Sequence, residues 1–440
     1  MGFGYLLLAV KSEQDNYLIG NPQFTFFKAV YRKHTNFSID YQFNNFIGDT
    51  SNAFGRKLYI DIPKNGDLLH RMYLTIDISN DTTDVEKLAP LAYNFIEYID
   101  IYIGGQRIDR HYGEWLAIWH ELFEDSNKSI ALANMVGVHN NNSIGKTLTI
   151  PLRFWFNNDI GLALPLIALQ YNDIKLEIKF NQKSEVDKFN STSGDASSNF
   201  KINKIQLISE YIHLDKEERR VFSSKNHEYL ITQVQDSLNN VINNFSAKYK
   251  ESKKNFERQR HKIDLRFTYP VKEIFWTIQD LEANYNTLVT YNNTGAFKYN
   301  YWNNFESGND QMSFCNIIIN GKDLTDELPA NFYRDIQQYQ YHSGYGINFI
   351  NINAGSLPTV DFSKGTGVYS YSFALHPEDF QPSGSLNFSK IESCQLKFGL
   401  IKDTTIVNPP ANPNKKINIF ALNYNVLRIM GGMAGLAFIN

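Results

Sequence analysis

Five side chains able to move protons or hold a cation crowd one short stretch: Asp109, His111, Glu114, His120 and Glu121. Carboxylates and imidazoles brought within hydrogen-bond reach can serve as acid and base, or as ligands to zinc. Such chemistry needs the groups to converge. Glu114 and Glu121 are two helical turns apart and would share a face, but Trp115 and Trp119 lie between them as a packing stripe. The stretch reads as an amphipathic helix with a solvated polar face and one buried edge, and no catalytic residue or metal ligand is assigned to it.

Other reactive-looking features are equally weak as chemistry. Gly431-Gly432 and Gly435 invite comparison with a phosphate loop, yet no Lys-Ser/Thr pair and no helix follow them. They read instead as small residues that let backbones approach closely in a buried tail. Cys315 and Cys394 lie in apolar, strand-like runs and read as small buried hydrophobes rather than a disulfide. The run Lys248–Lys262 is basic but diluted by Glu251 and Glu257. It reads as a solvated loop, with contact to an acidic neighbour as the sharper alternative. Asn292 is one of several Asn-x-Ser/Thr sequons and the one singled out for glycosylation. No cofactor is implied.

The elements that would position these groups are mostly strands. At 440 residues the chain exceeds one ordinary core, so two domains are expected. Its 43 basic and 46 acidic residues nearly cancel, which argues against direct nucleic-acid binding. Aromatics at 14% favour strands. The apolar run Tyr5–Val10 is too short for a membrane span and lacks a basic leader, and Leu6 breaks a myristoylation motif. A protein that is soluble when made is expected. Alternating runs predict strands over residues 57–62, 70–78, 93–103, 147–156, 173–180 and 201–214. They recur over 228–234, 263–267, 272–278, 313–319, 368–375, 393–400 and 417–429. Residues 112–123 follow helical spacing, and Phe24, Phe27 and Tyr31 suggest a short helix near the start. The last twelve residues, Ile429 to Asn440, carry no charge. Chain ends stay polar unless something holds them, so this end should be tucked into a core or a subunit contact.

The two halves echo each other. Ile101-Tyr-Ile-Gly-Gly-Gln-Arg-Ile108 parallels Ile317-Ile-Ile-Asn-Gly-Lys-Asp-Leu324, each ahead of an aromatic stretch. Residues 166–178 line up with 386–398, and the strands at 201–214 and 417–429 close each half. This is an internal duplication of one β-sandwich, with a boundary in the charged run near residues 215–226.

Six blocks in order resemble the major capsid proteins of the large icosahedral double-stranded DNA viruses of the nucleocytoplasmic group, which includes chlorella and other algal viruses. They are GNPQFTFFK at 20–28 with YRKHTNF at 31–37; IGGQRIDRHY at 103–112; GLALPLIALQY at 161–171; HEYLI at 227–231; YSFAL at 371–375 with QPSGSLNFS at 381–389; and NYNVLRIM at 423–430 running into GLA at 435–437. The resemblance implies an all-β tandem (double) jelly roll: two eight-stranded antiparallel β-sandwiches with long loops and a few short helices. The expected division is an N-terminal anchor segment over 1–26, a first jelly roll over 27–220 and a second over 221–440.

The same resemblance implies a structural protein with no enzymatic activity. Homotrimers of nearly hexagonal outline would tile an icosahedral shell beside neighbouring capsomers and minor capsid proteins. An inner viral membrane would lie on the basal side. The chain would assemble in the host cytoplasm and reside in the virion. Packing and interface roles are expected for Phe24, Phe27 and Tyr31, for the Leu164-Pro165-Leu166 corner, and for the tail residues Leu427, Met430, Leu436 and Phe438. Two other functions fit sandwiches with aromatic loops. One is carbohydrate binding, for which Tyr301 and Trp302 are the tempting platforms. The other is a tandem-sandwich hydrolase, which needs convergent carboxylates.

Overall fold

The computed structural model describes residues 13–17, 19–20, 25–80, 91–137, 146–188, 200–242, 259–280, 310–344, 367–400 and 415–439. The chain forms two compact units, one through Phe37 and one from Ser38 onward. In the first unit, Gln14–Tyr17 is a single 3-10 turn, and residues 25–36 are irregular. The helix expected from the spacing of Phe24, Phe27 and Tyr31 is absent there, and Phe24 lies outside the described residues. A helix this short gains too few hydrogen bonds to offset its nucleation cost unless a face of it is buried.

The strands of the first half are β1 (Phe37–Asn45), β2 (Lys57–Asp61), β3 (Leu68–Asn80), β4 (Ile96–Ile103), β5 (Gln106–Tyr112), β6 (Lys146–Pro151), β7 (Leu164–Pro165), β8 (Ile174–Phe180) and β9 (Phe200–Leu214). Those of the second are β10 (His227–Ile242), β11 (Gln259–Asp264), β12 (Pro270–Asp280), β13 (Met312–Ile319), β14 (Lys322–Asp323), β15 (Leu328–Pro329), β16 (Tyr369–Ser372), β17 (Leu386–Asn387), β18 (Cys394–Leu400), β19 (Lys415–Met430) and β20 (Met433–Leu436). They form four sheets. In the first half the orders are β1-β9-β3-β6 and β2-β8-β4-β5. In the second they are β10-β19-β12-β16 and β11-β18-β13-β14. The second pair repeats the first position for position, with β7 and β17 each pairing the equivalent long strand. Each half is an eight-stranded jelly roll with small additional strands, and the fold is a double jelly roll.

Local chemistry explains the repeat. In β8, Ile174, Leu176, Ile178 and Phe180 are buried, and the residues between them are half-exposed. This is the period-two pattern of a strand with one covered face. The hairpin β4–β5 turns at Gly104-Gly105 with φ of 58° and 82°, and β13–β14 turns at Asn320-Gly321 with φ of 49° and 76°. A two-residue turn that follows strand twist needs left-handed backbone at both positions, which Gly and Asn tolerate.

Several boundaries differ from expectation. The strand expected over 147–156 stops at Pro151, and Trp155–Asn158 is helical. That expected over 263–267 begins earlier, as β11, and that over 368–375 shrinks to β16. The charged run after β9 folds as the helix Lys216–Ser224 with no buried residue. The helix Ser126–Val136 carries no strong apolar period. It is held by its ends: Asp125 accepts from the Asn127 amide, and Gly137 closes it at φ 88°.

Candidate interaction surfaces

The most informative site is the seam between the two jelly rolls. One hydrophobic cluster runs from the first sandwich into the second, taking in Ile231, Phe275, Phe420, Leu422, Leu427 and Ile429. The second sandwich keeps a separate core that includes Ile417, Ile419 and Ala421. Successive residues of β19 therefore feed opposite sides of their sheet, and both sides are dry.

The seam is built on the helix Gly113–Leu122, which follows β5. Trp115 is fully buried, with its ring 5.4 Å from Phe275 and 5.8 Å from Phe420, centroid to centroid. Phe123 lies 5.7 Å from Phe275. Aromatic rings packed this way contribute specific edge and face contacts beyond their buried area. Polar groups bridge the same boundary. The carboxylate of Glu114 accepts from Thr277 Oγ1 at 2.7 Å and from Asn418 Nδ2 at 2.6 Å. The Val234 amide donates to Asp109 Oδ1 at 3.0 Å, and Tyr112 donates to Asp236 at 3.1 Å. Gln233 donates to the Ile108 carbonyl. At another part of the seam, the Tyr171 amide donates to the Gly432 carbonyl at 3.0 Å and Asn172 to that of Ala434 at 3.1 Å.

These contacts correct the solvated-face reading of the polar cluster. Asp109, His111, His120 and Glu121 are all buried. His111 pairs with Asp109 at 3.0 Å and stacks on Phe154. His120 lies near the Tyr93 hydroxyl and Ser129, and burial pushes its pKa down to about 3, so it is neutral. Burial raises Glu121 well above the usual carboxylate range, and among the described residues its Oε1 has no hydrogen-bond partner. Among the described residues, no grouping of three or more His, Cys, Asp and Glu side chains is arranged to hold a metal ion. The cluster is structural: it fixes the base of the helix and ties it to β10.

A second buried polar knot was not anticipated. His342, with its side chain fully enclosed, lies 2.8 Å from Glu273 and 3.2 Å from Glu378. Burial alone would lower its pKa. The two carboxylates outweigh that and raise it to about 9. Lys272 lies beside them and donates to the Pro377 carbonyl at 2.6 Å, and burial lowers its pKa to about 8. The His342 ring contacts Phe123 edge-on at 4.9 Å, and two residues later the Gly344 amide donates to the Leu122 carbonyl at 2.8 Å. The knot thus pins the second sandwich to the end of the seam helix. Its only sequence signal is the adjacent pair Lys272-Glu273 directly ahead of the apolar run Ile274–Trp276 in β12.

The expected packing residues divide. Leu164, Pro165 and Leu166 are buried, with β7 paired to Leu68 and Leu69 of β3. Leu427 is fully buried, and Leu436 is half-buried against the seam cluster. The tail backbone is tied down by β19–β20 pairing and by the Ala437 amide on the Val426 carbonyl. The side chains of Met430 and Phe438 remain more than half exposed, so on the single chain the apolar end is anchored without being wholly enclosed. Phe27 and Tyr31 are exposed. Asn292, Tyr301, Trp302 and most of the basic run 248–262 lie outside the described residues. Cys315 and Cys394 are free and buried.

Two jelly rolls of one topology, joined by a dry seam and carrying bare aromatic side chains at their edges, define the double jelly-roll class from which icosahedral virus shells are built. Comparison with known proteins agrees. The profile described as major capsid protein N-terminus matches residues 25–215, and that described as large eukaryotic DNA virus major capsid protein matches residues 218–435. The chain is 35% identical to the major capsid protein of Pyramimonas orientalis virus, with all of both chains covered. It is 31% identical to that of Paramecium bursaria Chlorella virus 1, again over both full lengths. The crystal structure of VP54 of the latter virus, fitted into a reconstruction of the virophage Sputnik, superposes with a TM-score of 0.75 at 28% identity. That match covers 94% of this chain and 100% of the other. The chain belongs to the family of large eukaryotic DNA virus major capsid proteins, and its role is that of a structural protein of the capsid shell.

Proposed function

We propose that three copies of this chain form a capsomer of nearly hexagonal outline, and that many capsomers tile an icosahedral shell assembled in the host cytoplasm. Segments 27–220 and 221–440 are the two lobes of each copy, and 1–26 is an anchor on the inner side. Minor capsid proteins and an inner membrane are the neighbours on that basal side. The chain carries no catalytic activity and does not hold nucleic acid directly. One observation carries this reading. The same strand order occurs twice around a seam as dry as a core, so one stiff chain presents two near-equivalent corners, and three chains supply six. Closed rings of this kind follow from rotational symmetry. Carbohydrate binding and hydrolysis have no comparable support: the aromatic platform falls outside the described residues, and the buried carboxylates serve the seam. The test is the native mass of the purified protein. A particle of three times 50.8 kDa with six lobes in electron micrographs is expected, and a stable monomer at assembly concentrations would overturn the reading.

A further inference from the structure

A lysine amine and a carboxamide meet inside the second sandwich, where neither is needed to fill the core. Lys415 opens β19 and is 2% exposed, and Gln311 directly precedes β13 and is 1% exposed. Lys415 Nζ donates to Gln311 Oε1 across 104 residues of chain, from one sheet of the sandwich to the other. Beside them, Met312 and Ile417 belong to the dry core of that sandwich. A buried ammonium is costly unless it is paired. A lysine withdrawn from water is also a usable nucleophile once a base takes its proton.

The strand register supplies a residue of that type. Pairing of β12 with β19 sets Asp280 opposite Lys415, and residues directly opposite in an antiparallel pair have Cβ atoms about 5 Å apart. The first sandwich shows that the corner itself does not demand these residues. Ile278 pairs with Ile417 in the second sandwich as Ile78 pairs with Ile202 in the first. Two residues further along, the first sandwich sets Asn80 opposite Phe200. Phenylalanine and asparagine there stand where lysine and aspartate stand in the second half. One lobe closes this corner with neither a nucleophile nor an acid, and the other brings amine, carboxylate and carboxamide to one place.

We propose that Lys415 and Gln311 join as an isopeptide, a covalent staple between the two sheets of the second sandwich, with Asp280 as the proton carrier. Contact and burial hold the amine against the carboxamide, which replaces a chance encounter by a fixed one. Lys415 Nζ gives a proton to the carboxylate and adds to Gln311 Cδ. The Cδ–Nε2 bond breaks, and two lysine protons pass through the carboxylate to the leaving nitrogen. One ammonium and one carboxamide thus give one secondary amide and one free ammonium ion, with no oxidant, reductant or cofactor. The step happens once per chain and turns nothing over, so the protein remains a structural one. A cross-link over so long a loop stabilises chiefly by restricting the unfolded chain.

Mass spectrometry of the denatured full chain tests the proposal. The wild type is expected to be lighter than its sequence by one ammonia, and trypsin should leave the peptides containing Gln311 and Lys415 joined. Lys415→Met and Asp280→Asn, each verified as folded by circular dichroism, should show the full mass of their own sequences and separate peptides. A wild type at full sequence mass with the two peptides apart overturns the proposal and leaves Lys415 as a buried, hydrogen-bonded cation. A join that persists in Asp280→Asn overturns it as well. The wild-type measurement decides alone should either variant fail to fold, and neither result bears on the capsomer reading.

Discussion

Sheets β1-β9-β3-β6 and β10-β19-β12-β16 share one strand order, yet only the second is buried on both faces along most of its length. The difference is written in their long closing strands. In β19 the run Ile417 to Leu422 alternates between two cores, its own sandwich and the seam. Its sequence is therefore nearly continuous in apolar residues, as expected for a strand covered on both sides. In β9, Ile205 and Leu207 face inward while Lys204 is exposed. Topology fixed the path of the chain, and the neighbour on the far face fixed the composition.

The strongest way to break this comparison is to remove the seam's central ring. Trp115→Ala should lower stability by about 3–5 kcal/mol, the cost of deleting a large buried aromatic. Leu396→Ala, in the second sandwich's own core, should cost about 2–5 kcal/mol. Denaturant unfolding measures both. A loss below about 1 kcal/mol for Trp115→Ala would reduce the seam to a docking contact between independent domains.

A smaller effect sharpens the role of the buried knot. His342 is raised from 6.5 to about 9, so between those values the folded chain holds a proton that the unfolded chain releases. Its contribution is complete below pH about 6.5 and declines as pH rises toward 9. Glu273 and Glu378 are its partners, with Lys272 adjacent. The melting-temperature gap between wild type and His342→Gln should therefore narrow across that window. A gap that stays constant with pH would show that the ring acts by packing alone.

The smallest effect compares two glycines of equal backbone shape. Gly105 and Gly432 both have φ of 82°. A methyl group at Gly105 meets nothing, whereas at Gly432 it would lie 2.7 Å from the ring of Tyr171, across the seam. Alanine at either position should cost about 1–2 kcal/mol for left-handed backbone. The cost at Gly432 should be slightly the larger, because Tyr171 is mostly exposed and its ring can swing aside. Equal melting temperatures for the two variants would mean that this part of the seam is slack.

What could be read from sequence was what neighbours along the chain determine. The alternation in β8, the Gly104-Gly105 turn and the aromatic spacing of Gly113–Leu122 are local signals, and each element formed where its residues predicted it. The echo between halves survived because Gly and Asn at two hairpin turns answer a backbone demand that drift does not remove. What failed was mostly set by distant partners, although the Leu164-Pro165-Leu166 corner and Leu427 are buried as their apolar character predicts. Asp109, His111, His120 and Glu121 looked solvated because charge ordinarily marks a wet face, and their covering elements lie far away in sequence or enter by a separate helix. Phe27 and Tyr31 had helical spacing with no covering surface to stabilise a helix. His342 and Glu273 come from distant segments, and only folding reveals that they meet.

The linking helix Lys216–Ser224 has no buried residue, and at first sight it is where the polypeptide might be divided. The doubly covered sheet forbids it. Severed from its companion, the carboxy-terminal half would bare Phe275, Phe420 and Leu427 to water as one greasy plate, and would clump. The two halves, alike in strand order, are thereby bound to fold as one: the wall they share has no solvent-compatible face on the carboxy-terminal side.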